Sequence, residues 1–493
     1  MTMDQTARRG PGRRGVLAAL GAAGSAALVG GTGGAAFAAG PGKGSADSAG
    51  KAAQGTSHTP PAAQAAREVR EEFLHAWDGY KRFAWGHDEV HPLSGGSSEF
   101  FVPGSPVGLS IIEALDTLYV MGLDDELADS VRWIKSDLSL DIDGDFHVFE
   151  AIIRVVGGLL AGHLATGDKR LLALTADVAD RLLPAFTKSP TGMPYQYVNF
   201  RTGAVSGATP PLAEIGTNIM EFGLLSKLTG DSKYYDAAKR ALRAAVGARS
   251  SLDLLGTSLN VETGRWTDAT DNGPNPPTDS FYEYLWGGWT LLGDTDCRDW
   301  FRLLNKALVK NAVETYDGRV WFKQIDFSTG ALLGRGQSEL GSFYAEVLAA
   351  SGDDALGAAY YRSWTDVLDR YAVLPESIDY TTLAATTKGN QFRPEYVNAS
   401  FDLSLRTGQR TYADTAYRYF QGMKTNARTA NGYTILDDVT VSPMAQGDLF
   451  PAYGFAENFK YLYLIFEDTP RFDRHDYALS TEGKVLRGLL PRR

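Results

Sequence analysis

From Leu109 onward the chain alternates between two helical patterns. Segments such as "LSIIEALDTLYV", "FEAIIRVVGGLL", "IMEFGLLSKL" and "FAENFKYLYLIF" are apolar nearly all round, which predicts helices buried on every side. The segments between them, such as "ELADSVRWIKSDL", "KRLLALTADVADRLL" and "SKYYDAAKRALRAAV", set an apolar stripe opposite a charged face, which predicts an outer layer. Short turns join each buried helix to the next outer one: "MGLDDE", "ATGDKR", "LTGDSK", "LLGDTD", "ASGDDA" and "RTGQRT", with glycines at 122, 167, 230, 293, 352 and 408. Glycine can end a helix in the left-handed conformation and a following Asp can cap the next, so each turn joins antiparallel helices. A degenerate seventh turn, "FEDTPR", puts Glu467 in the glycine slot. A unit recurring every 45 to 63 residues indicates stacked helical hairpins.

The two ends complete the pattern. "AAREVREEFLHAWDGYKRFAW" near residue 70 is amphipathic with no inner helix before it, and "FAENFKYLYLIF" is an inner helix with no outer one after it. Pairing them closes an all-α ring of seven inner and seven outer helices, whereas an open solenoid would need polar caps at both ends. Parallel inner helices would then bring their N-terminal ends to one mouth, where each carries an acid: Glu113 and Asp116, Glu150, Glu214, Asp279 and Glu283, Glu339, Glu395, and Glu457. From the third hairpin onward the segments leading into that mouth are long, such as 247–278 and 314–337, while the opposite end has only tight turns, which marks the mouth as the working face.

Composition narrows the partners. Residues 1–38 hold the pair Arg13-Arg14, a short apolar stretch from Val16 to Val29 and the small-x-small run Ala36-Phe37-Ala38, the form of a twin-arginine export signal. The apolar stretch falls short of the roughly 20 residues needed to span a bilayer. Removing residues 1–38 takes the formal net charge from −11 to −14. Such a charge argues against nucleic acid or an anionic membrane as partner and suits a cation or a neutral polar ligand. Residues 39–62, rich in Gly, Ala and Ser, are expected to be a disordered linker, and residues 63–493 a single catalytic domain, secreted and monomeric. The single cysteine, Cys297, precludes an intramolecular disulfide.

Many carboxylates around one partly dry pocket must be neutralised by protons, arginines or a metal. Arg154, four residues after Glu150 and so on its helix face, supplies part of that charge, as does Arg393. A hard divalent cation with oxygen ligands would supply more, and Ca²⁺ suits a site without nearby cysteine and with few histidines. Paired carboxylates in a cleft, below loops rich in Trp and Tyr, are what glycosidic cleavage requires. The residues therefore point to an exported helical-toroid enzyme acting on carbohydrate.

Eight ordered motifs carry a more specific likeness: "WGHDEVHPLS", "GLSIIEALDTLYVMGL", "FEAIIRVVGGLL", "AEIGTNIMEFGLLSKLTGD", "DSFYEYL", "RPEYVNASFDLSLRTG", "FAENFKYLYLIFED" and "LSTEGKVLRGL". From about residue 70 to about 488 the chain resembles glycoside hydrolase family 47, the class I α-1,2-mannosidases and their relatives that promote degradation of misfolded glycoproteins. The resemblance implies an (α/α)7 barrel and an inverting, Ca²⁺-dependent hydrolase acting on terminal α-1,2-linked mannose of an oligosaccharide or glycoprotein glycan. It implies Glu150 as general acid acting through water, and Asp279 and Glu395 as the other catalytic carboxylates, with Glu395 the better candidate for the base. Thr481 matches the threonine that binds Ca²⁺ through its hydroxyl and carbonyl oxygens, while Glu214, Glu457 and Glu482 match carboxylates that hold the cation's waters. Arg154 and Arg393 match pocket arginines.

The chain also departs from the family pattern. "HLxCF" reads "ELGSF", so Glu339 takes a histidine position; the second glutamate of "RPExxES" is Asn398; an aromatic that is usually Phe is Tyr453; and "TEAHP" reads "TEGKV", with Lys484. These changes bear on linkage and preferred glycan. A protein of the same fold that binds mannose glycans without cleaving them is the competing class, and the intact carboxylate trio favours the enzyme.

Overall fold

The computed structural model describes residues 59–491. The expected export signal, and the expected linker as far as residue 58, lie outside the described residues. The first helix, Ala62–Phe83, opens one residue before the expected start of the domain.

The tight turns behave as their residues require. Gly167 and Gly230 end their helices at φ 72° and 77°, a left-handed backbone that an L side chain adopts only under strain. The next residue or two caps the following helix: Asp168 accepts from the Arg170 amide at 2.8 Å and Asp294 from the Cys297 amide at 3.1 Å. Among the described residues the outer helices are Ala62–Phe83, Asp124–Ser136, Lys169–Thr187, Lys233–Gly247, Thr295–Ala312, Asp354–Tyr371 and Arg410–Ala427. The inner layer begins at Leu109–Val120, which is buried at every position, as its unbroken apolar pattern dictates. It continues through Val148–Thr166, 212–229, Asp279–Leu292, 339–350, Glu395–Thr407 and 453–466. Val148–Thr166 is long and apolar enough to cross a membrane, yet most of it is buried inside the protein. Each inner element packs on the next, the last packs on Leu109–Val120, and Ala62–Phe83 packs on Asn458–Phe466. The ring is closed: the fold is an (α/α)7 barrel.

Four inner elements are broken near the mouth. Ala151–Val156 is a π-helical stretch, Thr217 and Asn218 separate two helices, Glu339–Phe343 is a 3-10 turn, and Glu457 (φ −118°, ψ −78°) separates Tyr453–Ala456 from Asn458–Phe466. Such breaks re-aim side chains that a straight helix would keep in its wall. The segments expected to be loops at the mouth fold into short antiparallel hairpins, and the described residues hold nine sheets of two or three strands.

One of these hairpins is not at the mouth. Ala478–Leu479 pairs with Val485–Arg487, and the turn between them lies inside the barrel. The contacts order it by depth. The Leu490 carbonyl accepts from Tyr119, near the C-terminal end of the first inner helix, and Arg487 donates to the Thr290 carbonyl, near the C-terminal end of the fourth. The Val485 amide donates to Asp116 at 2.9 Å, and Lys484 pairs with Glu113, one turn closer to the mouth. The hairpin therefore enters from the tight-turn end and carries Thr481 up the bore.

Candidate active site

The hairpin inside the barrel forms a plug, and between it and the mouth lies a cavity lined by Asp279, Glu283, Phe343, Glu395, Asn398, Glu457 and Thr481, among others. Asp279 and Glu395 are the first residues of their helices, where the free N–H groups favour a negative charge. Thr481 sits at the tip of the plug, its amide 3.4 Å from the Tyr284 hydroxyl, and lines the cavity together with Glu283. The expected catalytic and metal residues Asp279, Glu395 and Thr481 thus share one cavity.

Glu150 joins them through Arg154. The guanidinium donates from Nε to Glu150 at 2.6 Å, and from Nη1 to Glu482, the neighbour of Thr481, at 2.9 Å and to Glu113 at 3.2 Å. Its Cζ lies over the rings of Phe100 and Tyr453, at 5.1 and 5.3 Å from the centroids. Arg393 covers Tyr453 at 5.9 Å but pairs with Glu376, at 3.1 Å from both oxygens. Tyr453, at the position of the family's usual Phe, uses its hydroxyl to bond the Gln391 carbonyl, so the extra oxygen is satisfied within the wall. Glu214 has His147 Nε2 3.2 Å from one oxygen, and the Gln196 amide donates to the other at 3.2 Å.

The electrostatics separate two groups of acids. Glu113 and Asp116, expected among the mouth acids, are neutralised deeper in the bore by Lys484 and Lys460, both fully buried. The remaining cavity acids have little counter-charge. Burial pushes Asp279 up to about 6, Glu395 up to about 7 and Glu283 up to about 8. Burial, then the charges of Glu482 and Glu395, hold Glu457 well above the carboxylate range. Glu482 reaches about 8 against the pull of Arg154. Glu339 is fully buried against Glu395; burial and that neighbouring charge drive it well up, and a carboxyl–carboxylate contact is a hydrogen bond only while one partner keeps its proton. A cavity that must otherwise store protons on several acids is suited to a cation. Among the described residues no three His, Cys, Asp or Glu side chains are arranged to ligate one directly.

The sequence pattern did not reveal His147, Gln196, Tyr197 or Glu376. The first three lie on or beside the strands Asp145–His147 and Tyr197–Asn199, which pair across an intervening hairpin of helices, and Glu376 lies in a mouth segment. Alternation within "DFHVF" and "YQYVN" could have signalled strands, but not their pairing.

A sequence model described as "Glycosyl hydrolase family 47" matches residues 72–488. The chain is 32% identical over 450 residues to "Alpha-mannosidase I MNS5" of Arabidopsis thaliana, covering 86% of this chain and 77% of that one. It is 31% identical over 451 residues to "Mannosyl-oligosaccharide 1,2-alpha-mannosidase IB" of Mus musculus, covering 85% and 69%. The solved structure of the "alpha-1,2-mannosidase from Trichoderma reesei" matches with a TM-score of 0.79 at 22% identity, over 87% of this chain and 99% of that one, a likeness of fold.

Proposed function

The chain belongs to glycosyl hydrolase family 47, and on that premise we propose that it is an exported, Ca²⁺-dependent, inverting α-mannosidase that removes terminal α-1,2-linked mannose from glycans. That it is a glycoside hydrolase of the mannosyl-oligosaccharide 1,2-α-mannosidase type follows from the family and its named relatives. The finer reading is carried by one observation: Asp279, Glu395 and Thr481 line one cavity, and Arg154 ties Glu150 to the residue next to Thr481.

In this reading the terminal sugar sits above Thr481. Glu150, at the outer edge and partly exposed, delivers a proton to the leaving oxygen through a water. Arg154 fixes its carboxylate from one side, and a π-helical stretch follows it directly. Glu395, held at the tip of its helix and raised to about 7 by burial, takes the proton of the attacking water, with Asp279 beside it. Inversion requires acid and base on opposite faces of the sugar, roughly 6.5–9.5 Å apart. Thr481 would hold the cation with waters on Glu457 and Glu482; bound there, it would orient sugar hydroxyls and offset the carboxylates' charge.

Proton NMR of α-1,2-mannobiose incubated with the secreted protein tests this reading. β-Mannose released first, loss of release on chelation, its return with Ca²⁺, and no release by Glu150→Gln are expected. Binding of the disaccharide with no release by wild type would make the protein a lectin instead.

A further inference from the structure

The turn that leads into Glu395, "NQFRPE", is held by side chains at each of its three amides. Asn390 is fully buried; its Oδ1 accepts from the Phe392 amide at 2.8 Å and the Arg393 amide at 3.3 Å, and its Nδ2 donates to the Leu374 carbonyl at 2.9 Å. The Gln391 amide donates to Glu376 at 2.7 Å. Two carbonyls are held as well: that of Gln391 by the Tyr453 hydroxyl, and that of Arg393 by the Asn458 side-chain amide at 3.0 Å and the Tyr419 hydroxyl at 3.3 Å. Within this frame Phe392 has φ 63°, a left-handed backbone that a bulky L residue adopts only under strain. Its ring is anchored among Tyr433, Phe450 and Phe459, at 5.6, 4.9 and 5.9 Å between centroids.

We propose that Asn390 is a positioning residue for the reaction: it holds Phe392 in the left-handed turn and thereby aims Arg393 and Glu395. The order of residues shows why such a device is needed here. Pro394 disfavours helical backbone at Arg393 and has no N–H to donate, so the helix begins only at Glu395 and its first residue points where the preceding turn sends it. An Asn oxygen that accepts from the amides two and three residues on closes a turn of this kind locally. Strained backbone persists where its surroundings over-determine it, and here side chains from four other segments converge on residues 390–393. Asn390 has no exposed surface of its own, so its effect on a substrate runs through Arg393 and Glu395. This inference rests on the mannosidase reading, in which Glu395 is the base, and a crystallographic comparison separates the two.

Asn390→Leu removes the acceptor at similar volume, and Asn390→Asp keeps it. With α-1,2-mannobiose and saturating Ca²⁺, Asn390→Leu is expected to lower kcat about a hundredfold with KM changed less than about threefold, while Asn390→Asp stays within about fivefold of wild type in kcat. Leu304→Ala, a buried truncation on the outer helix Thr295–Ala312, controls for lost stability and is expected to leave both constants within about twofold. In crystals, Asn390→Leu is expected to take Phe392 out of the left-handed region and to displace the Glu395 carboxylate by about 1 Å. Asn390→Ser, a shorter acceptor, is expected to fall between on both measures, and it carries the test if the leucine variant does not fold. Phe392 still left-handed with Glu395 in place, or a loss of kcat no greater than that of Leu304→Ala, would overturn the assignment. Absence of mannose release by the wild type would defeat the mannosidase reading, while the crystals would still decide whether Asn390 holds the turn.

Discussion

Arg154 donates from Nε to Glu150 at 2.6 Å, one turn away on an otherwise apolar inner helix. The same guanidinium bonds Glu113 and Glu482, so a single buried cation compensates three carboxylates from three chain segments. Breaking one side of a buried ion network costs about 3–5 kcal/mol, because the partners are left charged and dry. Arg154→Met is expected to lower stability by about that much in urea unfolding and to reduce mannose release more than about a hundredfold. Arg154→Lys keeps the charge without the planar fork, and should recover more stability than activity.

Lys484 and Glu113 form a second test of charge balance. Both side chains are fully buried, and the lysine also donates to the Glu113 backbone carbonyl at 3.1 Å. Lys484→Met alone should destabilise by about 3–5 kcal/mol, and the double variant with Glu113→Gln should regain more than half of it. A double variant no more stable than the single would mean that Lys484 acts through packing rather than charge. Urea midpoints of the four proteins decide it.

Close approach of the inner helices depends on Gly158. A methyl group there would lie 2.6 Å from Ile112 Cγ2 and 2.8 Å from the Ile112 carbonyl oxygen, and the backbone of a packed ring cannot retreat. Gly158→Ala is expected to destabilise by about 1–3 kcal/mol. Gly247→Ala, at the end of an outer helix with nothing within 4 Å, should be neutral or stabilising by up to about 1 kcal/mol. Thermal unfolding of both variants makes the comparison.

Asp271 carries a pH signature outside the cavity. It accepts from the Gly273 amide at 2.9 Å and the Leu255 amide at 3.3 Å, but burial raises it from 3.8 to about 7. A carboxyl raised in the folded state favours folding fully below its unfolded value and loses that contribution as pH rises through its folded value. The stability of wild type relative to Asp271→Asn is therefore expected to fall by about 1.4 kcal/mol per pH unit between pH 4 and 7, then level off. Urea unfolding of the pair at half-unit steps gives the curve, and a flat difference across that window would show the group is ionised throughout.

Much of the barrel was legible because its information is local. The Gly-Asp turns set the hairpins, the two kinds of apolar pattern sorted inner from outer helices, and the unmatched Ala62–Phe83 and Asn458–Phe466 pointed to closure. The plug was recognisable only as a motif around Thr481, since nothing local says that a C-terminal hairpin enters the bore. The mouth strands escaped the helical reading because each spans two to four residues and pairs with a partner far away in the chain.

The repeat, the ring and the helix position of each acid follow from the order of residues along the chain, since periodicity and capping are properties of neighbouring residues. Which acids meet depends on how the closed ring packs. Glu113 and Asp116 found buried lysines, Glu214 found His147, and Asp279, Glu283, Glu395 and Glu457 were left facing Thr481 with little counter-charge. The physical reason is range: a carboxylate's state is set by burial and by the charges within a few ångströms, and in a closed ring those come from distant parts of the chain.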